Sequence, residues 1–171
     1  MSRYSIWLIL EQDSRARYRD LIKRLSKKLK TPAFDPHCTI YGRLNMDLEK
    51  IRSEVIELSI RKNQFSATVK SIKIGKTKWK SLYLALDNNE DLSYLYGVCK
   101  NKFSTKRIYA FDPHLSLAYG IFDPESIHYA TKHIIIPKYL AFSGIAVVKT
   151  GEDISDWEIV FQRQFGSNTI N

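Results

Sequence analysis

Two matching heptapeptides carry the chemistry of this chain. Phe34-Asp35-Pro36-His37-Cys38-Thr39-Ile40 returns as Phe111-Asp112-Pro113-His114-Leu115-Ser116-Leu117, 77 residues later. Four identical residues are followed by an apolar, a hydroxyl and an apolar position. Each copy then runs into a Tyr-Gly pair, Tyr41-Gly42 and Tyr119-Gly120, with one extra residue in the second copy. In a β-strand, side chains at i and i+2 share a face. His37 therefore projects with Thr39, and His114 with Ser116, while Cys38 and Leu115 turn into packing. Two such strands side by side assemble two imidazoles and two hydroxyls. That set suits in-line displacement at phosphorus, where an attacking water loses a proton and a leaving oxygen gains one. Imidazoles with an ordinary pKa of about 6.5 can do both jobs at neutral pH, one neutral and one protonated. The hydroxyls can donate to the non-bridging phosphate oxygens and hold the group in line.

Other chemistries use the same residues less well. Asp35, His37, Asp112 and His114 could form a metal site of two carboxylates and two imidazoles, but an Asp before Pro is also a common turn residue. Gly75-Lys76-Thr77 mimics the end of a phosphate loop. The first glycine of that motif would fall at Lys70, and a strand follows rather than a helix, so the match fails. His128 and His133 lie outside the repeat and read as structural or exposed. Neither a metal nor a cofactor is expected.

The elements that must position the pair can be read from periodicity. Tyr4 to Leu10 reads as a buried strand. Asp13 or Ser14 can cap a helix with Tyr18, Leu21, Ile22, Leu25 and Leu29 on one face, and Thr31-Pro32 ends it. The opposite face, with Arg17, Lys23, Arg24, Lys27, Lys28 and Lys30, is either solvated or steers anions. Cys38 to Leu44 is a strand. Leu48, Ile51, Val55 and Leu58 mark a second helix, capped by Asn45 or Asp47. Ser66 to Ile74 and Ser81 to Leu86 are strands joined by a turn at Gly75. Leu92, Leu95, Cys99 and Phe103 mark a third helix, and Leu115 to Tyr119 a strand. Asp123-Pro124 starts a short fourth helix through Ile127, Ala130 and Ile134. Two strands close the chain, the last with Trp157, Ile159 and Phe161 on one face and Glu158, Val160 and Gln162 on the other. Strands and helices mix, but hairpins outnumber β-α-β units, so the fold class is α+β with largely antiparallel sheets.

Composition sets the bounds. The 171 residues suit one domain, or two small lobes sharing a core. A net charge of +9, from 27 Lys and Arg against 18 Asp and Glu, attracts anions: phosphorylated small molecules, RNA or DNA. A non-catalytic RNA-binding module would share that charge and the ten tyrosines. The aromatic residues, however, form no stacking-platform signature such as that of an RRM. Cys38 and Cys99 form no C-x-x-C pair and read as reduced core thiols. The sequence shows no signal-peptide pattern and no apolar run approaching roughly 20 residues, so a cytosolic protein without a membrane anchor is expected.

The paired His-x-Thr and His-x-Ser motifs resemble the 2H phosphoesterase superfamily, in particular its plant and yeast cyclic phosphodiesterases. Ser5-Ile6-Trp7-Leu8, Thr150-Gly151 and Asp156-Trp157 share in the resemblance, which spans nearly the whole chain. It implies one domain over residues 1–171, bilobal, with two pseudo-symmetric lobes of antiparallel sheet flanked by helices and the active site in the cleft between them. It also implies a monomer. The implied activity is hydrolysis of ribose cyclic phosphates, either nucleoside 2′,3′-cyclic phosphates or ADP-ribose 1″,2″-cyclic phosphate, a by-product of tRNA splicing. Enzymes acting on RNA ends or 2′-5′ linkages belong to the same superfamily and stay open. By match, His37 and His114 are catalytic, and Thr39 and Ser116 bind phosphate. Tyr119 and Trp7 lie near the substrate. Asp35 and Asp112 depart from the expected pattern, and their role is open. If imidazoles carry the proton transfers without a metal, turnover of a cyclic phosphate should survive excess EDTA. Loss on chelation, restored by a divalent ion, would rule that mechanism out.

Overall fold

The computed structural model describes residues 3–167. The elements follow the order read from the sequence: β1 (Arg3–Leu10), α1 (Gln12–Leu29), β2 (His37–Leu44), α2 (Leu48–Arg61), β3 (Phe65–Thr77), β4 (Lys80–Leu86), α3 (Glu90–Phe103), β5 (His114–Ala118), α4 (Pro124–Thr131), β6 (Tyr139–Thr150) and β7 (Glu158–Gln164), with a single 3₁₀ turn at Ile154–Asp156 before β7. Among the described residues no helix is long and apolar enough to cross a membrane.

Local chemistry sets the boundaries. The cap of α1 is Glu11, not Asp13 or Ser14: its carboxylate accepts from the amides of both those residues. Lys30, in the left-handed region at φ 53°, ends the helix just before Thr31-Pro32. Asp47 caps α2 and Asp123 caps α4, with Pro124 in its first turn. Ile134 falls outside α4, because the chain turns after Thr131 and the Ile134 amide bonds to the Thr131 carbonyl.

Gly75 is not the hairpin turn. It lies within β3, and the turn falls at Lys78 and Trp79. The β3–β4 register slips between Ile74 and Thr77. A Cβ on Gly75 would stand 1.8 Å from the Lys80 carbonyl oxygen, so glycine there permits a close backbone approach rather than a reversal.

All strand pairs are antiparallel, in the order β2-β1-β6-β3-β4-β5, with β7 on the other side of β6. The long β3 changes partner midway: Phe65 to Thr68 pair with β6, and Val69 onward with β4. The two end strands, β2 and β5, meet each other. The helices cross over, so that α1 covers β5 and α3 covers β2, while α2 lies on β6 and β7. Strand parity sorts the side chains. Ile6, Leu8 and Leu10 of β1, with Cys38 and Ile40 of β2 and Leu115 and Leu117 of β5, fill the main core. Trp7 and Ile9 face the other way, with Ala146 and Val148 of β6 and with Trp157 and Ile159. In β7 the expected alternation breaks. Val147 pairs with Phe161 but Val148 pairs with Ile159, so Val160 is the extra residue of a bulge. Phe161 therefore leaves the Ile159 face and packs on the main core, 4.7 Å from the Arg52 guanidinium of α2.

Gly75→Ala should force the β3–β4 hairpin apart. Overpacking against backbone costs about 2 kcal/mol, or roughly 4–8 °C in the melting midpoint of a chain this size. A melt matching the wild type would show that the hairpin yields without penalty.

Candidate active site

The first residue of β2 is His37 and the first of β5 is His114. On β2, His37 stands opposite Ile9 and Thr39 opposite Trp7. On β5, His114 stands opposite Ala85 and Ser116 opposite Tyr83. Because the two end strands meet, both imidazoles line one cavity of about 220 Å³, together with Thr39, Trp7 and Tyr119. Cys38 and Leu115 are fully buried on the opposite side, as the two-residue period requires.

The two rings are held in the same way. Nδ1 of His37 lies 2.6 Å from the Asp35 carbonyl oxygen, and Nδ1 of His114 lies 2.6 Å from that of Asp112. A carbonyl can only accept, so each Nδ1 carries its proton and each neutral ring keeps its lone pair on Nε2. The surroundings differ. His37 is 4% exposed and stacks flat on Trp7, with ring centroids 3.4 Å apart and planes 6° from parallel. Burial pushes its pKa down to about 4, helped by the nearby His114 and opposed by the Asp35 carbonyl and charge. This ring is enclosed: Trp7 covers one face, and Trp157 and Phe34 stand edge-on to it. His114 is half-buried, edge-on to Tyr83 at 5.3 Å. Its pKa is also lowered, first by burial, with the Asp112 carbonyl opposing and Lys80 adding to the shift.

Of the two hydroxyls, Thr39 is on the cavity wall. Ser116 is only 3% exposed and stands behind the cavity wall rather than on it. Burial pushes the Tyr119 phenol up to about 12, with the nearby Ser116 hydroxyl opposing the shift. Tyr119 packs on Phe34 at 4.4 Å and meets Trp79 and Trp157 edge-on. Trp7 is at once core and cavity wall. His128 and His133 are exposed.

Among the cavity residues that sequence reasoning did not assign to the site, three carry large side chains onto its wall from turns and a bulge: Trp79, Trp157 and Arg43. Trp79 stands at the tip of the β3–β4 hairpin, where the Lys78 carbonyl accepts from the Gly120 amide at 2.9 Å. Trp157 stacks on Trp79 at 6.0 Å. Arg43 reaches the cavity from a bulge in β2, where Gly42 and Arg43 together oppose Ser5. Arg43 has φ 59°, unusual for a side-chain-bearing residue, and its amide donates to the Ser5 hydroxyl at 3.1 Å. The Asp156-Trp157 pair was visible as resemblance, but a lone aromatic on a turn has no periodicity to betray it.

The carboxylates that might have bound a metal have other partners. Asp35 pairs with Arg15 and Arg19, and Asp112 with Lys80. Among the described residues no group of three or more His, Cys, Asp or Glu side chains is placed to hold a metal ion.

The profile of a family described as cyclic phosphodiesterase-like proteins matches residues 1–165. An Arabidopsis thaliana protein named cyclic phosphodiesterase is 24% identical over 117 residues, 68% of this chain and 65% of that protein. The match thus spans just under two thirds of that relative's length. Among solved structures, Escherichia coli LigT complexed with 3′-AMP superposes with a TM-score of 0.61 at 13% identity, covering 97% of this chain and 99% of that one. LigT complexed with NADP+ gives 0.62 at 14%, covering 97% and 98%. A protein of Thermus thermophilus gives 0.60 at 13%, covering 98% and 100%. At these identities the likeness is one of fold, an α+β arrangement with an antiparallel sheet and four helices.

The buried His37 links stability to pH. Its folded pKa of about 4 lies below the ordinary 6.5, so the unfolded chain binds the proton first. The stability is fully present above pH 6.5 and is lost as the pH falls through 4, by on the order of 3 kcal/mol. Denaturant titrations at pH 7 and pH 4 should show the wild type losing more than His37→Gln by about that amount. Equal losses would mean that the ring protonates in place without penalty.

Proposed function

The chain belongs to the cyclic phosphodiesterase-like family of the 2H phosphoesterase superfamily, and from that membership we propose that it hydrolyses ribose cyclic phosphates to phosphomonoesters. The substrates are nucleoside 2′,3′-cyclic phosphates or ADP-ribose 1″,2″-cyclic phosphate. The observation that carries the reading is the pair of imidazoles, each with Nδ1–H committed to a backbone carbonyl, lining one cavity from opposite ends of the sheet. The strand order supports the two-lobe reading, since the strand pairs β1-β2 and β4-β5 occupy its two ends and the cavity lies where β2 and β5 meet. Two buried free thiols fit a reducing, cytosolic setting.

His37, the more buried ring and neutral at physiological pH, is the base. Its Nε2 takes a proton from water as the water oxygen attacks phosphorus. His114, less enclosed, is protonated beside the anionic substrate and passes its Nε2 proton to the departing ribose oxygen. One P–O bond forms and the ring P–O bond breaks. The product is a phosphomonoester beside a free hydroxyl, and exchange with solvent resets both rings. Thr39 and Ser116 donate to the non-bridging oxygens. Trp7, Trp79, Trp157 and Tyr119 give the base apolar faces to lie against. The 3′-AMP in the LigT complex is a ribose phosphomonoester, the class of product this reaction releases.

Replacing His37 or His114 by Ala should each cost on the order of 10²- to 10⁴-fold in turnover. The double variant should be far less impaired than the product of the two, because both rings serve one displacement. The base works above its pKa and the acid below its own, and burial lowers both, so kcat/KM should peak on the acid side of about 6.5. The assay panel is cyclic mononucleotides, the cyclic ADP-ribose derivative, and RNA ends with 2′-5′ linkages. A folded single variant with near-normal activity across the panel would overturn the paired-histidine reading, and an alkaline optimum would show that burial does not hold both rings below 6.5 in the working enzyme.

A further inference from the structure

The two aspartates left unexplained by the motif form the same device twice, at unequal strength. The carbonyl of Asp35 holds Nδ1–H of His37, and the carbonyl of Asp112 holds that of His114. In both residues the side chain meanwhile pairs with a cation. Asp35 takes Arg15 on one oxygen and Arg19 on the other, through Nε bonds of 3.1 Å and 2.9 Å and a further Arg19 Nη2 bond of 2.6 Å. Arg15 and Arg19 stand four apart, on one face of α1. Asp112 has Lys80 alone.

We propose that Asp35 is a positioning residue, a carboxylate clamped by Arg15 and Arg19 that fixes the tautomer and orientation of His37 through its own carbonyl. The proposal rests on the paired-histidine reading. Residues 31–36 have no regular secondary structure, so no strand or helix ladder fixes that carbonyl. The clamp ties it to α1 instead. Helix α1 is seated on β5, the strand that begins with His114. The two salt bridges thereby register one imidazole against the element that carries the other. Burial raises the Asp35 pKa, but the arginine hydrogen bonds prevail and hold the carboxyl below its ordinary value, so the clamp stays charged. Exposure separates the two copies: the side chains of Asp35 and Arg15 are 21% and 18% exposed, whereas Asp112 is 67% exposed and its pair with Lys80 is screened by solvent.

Asp35→Asn keeps the carbonyl and the shape but removes the clamp. It should lower kcat on the order of tenfold with KM nearly unchanged. Asp112→Asn should cost at most about fivefold. Nitrogen-15 NMR of the imidazoles should show His37 as a single Nδ1–H tautomer in the wild type and as a tautomer mixture in Asp35→Asn. Arg15→Gln/Arg19→Gln should reproduce that mixture, and combining it with Asp35→Asn should add little, since all three groups form one unit. If Asp35→Asn does not fold, the arginine variant decides. An unchanged His37 tautomer in the folded variant overturns the proposal. The NMR reading does not need turnover, so a wild type inert on every cyclic phosphate would defeat the enzymatic reading alone.

Discussion

A carbonyl oxygen accepts a hydrogen bond but cannot donate one, and at this site that asymmetry is used twice. Each imidazole donates its Nδ1–H to the carbonyl two residues back, across a proline that holds the intervening chain extended. Both rings thus present the same nitrogen to the cavity. Had either bonded to a hydroxyl, which both donates and accepts, its tautomer would be free to switch. The rest of the molecule serves to bring these two bonds face to face. The sheet brings its end strands together, and α1 and α3 each cover the end strand remote from the strand they follow. Cys38, between His37 and Thr39, sits against the His114 backbone, and its thiol is pushed up to about 12 by burial. The core and the site are therefore built from alternate residues of the same strands.

The sequence made much of this legible, because period is a local property. The order of elements followed from where period 2 gave way to 3.6, and the orientation of Cys38 and Leu115 followed from strand parity alone. The repeat located both imidazoles without knowledge of how the strands meet. What stayed hidden depends on tertiary approach. The β7 bulge at Val160, which reverses Phe161, leaves no mark in the pattern of Ile, Val and Phe. Gly75 looked like a turn because glycine frees the backbone, yet here it serves by lacking a Cβ near Lys80. Trp79 and Trp157 come from segments far apart in the chain, and only the folded hairpin tip brings them together. The covering of His37 by Trp7 was also unreadable, since a strand position says which face a ring takes and not what lies on it.

Charge is divided between the surface and the cavity. The basic residues Arg17, Lys23, Arg24, Lys27 and Lys28 of α1, and Lys30 just past its end, are exposed, and the chain carries +9 overall. Among the described Lys and Arg residues, the cavity lining holds only Arg43; the rest of its wall is aromatic rings, imidazoles, hydroxyls and small residues. A surface charge of this sign attracts anions in general, and hydrogen bonds are stronger in a low-dielectric cavity than in water. Burial in this lining lowers the pKa of both imidazoles.

The chain has three tryptophans, and all three line this one cavity. Its indole emission therefore comes wholly from the site, with no background from indoles elsewhere. Trp7 lies flat against an imidazole, and its excited state will pass an electron to that ring far more readily once the ring is protonated. The protein thus carries a built-in optical gauge of its own proton balance, readable without a label.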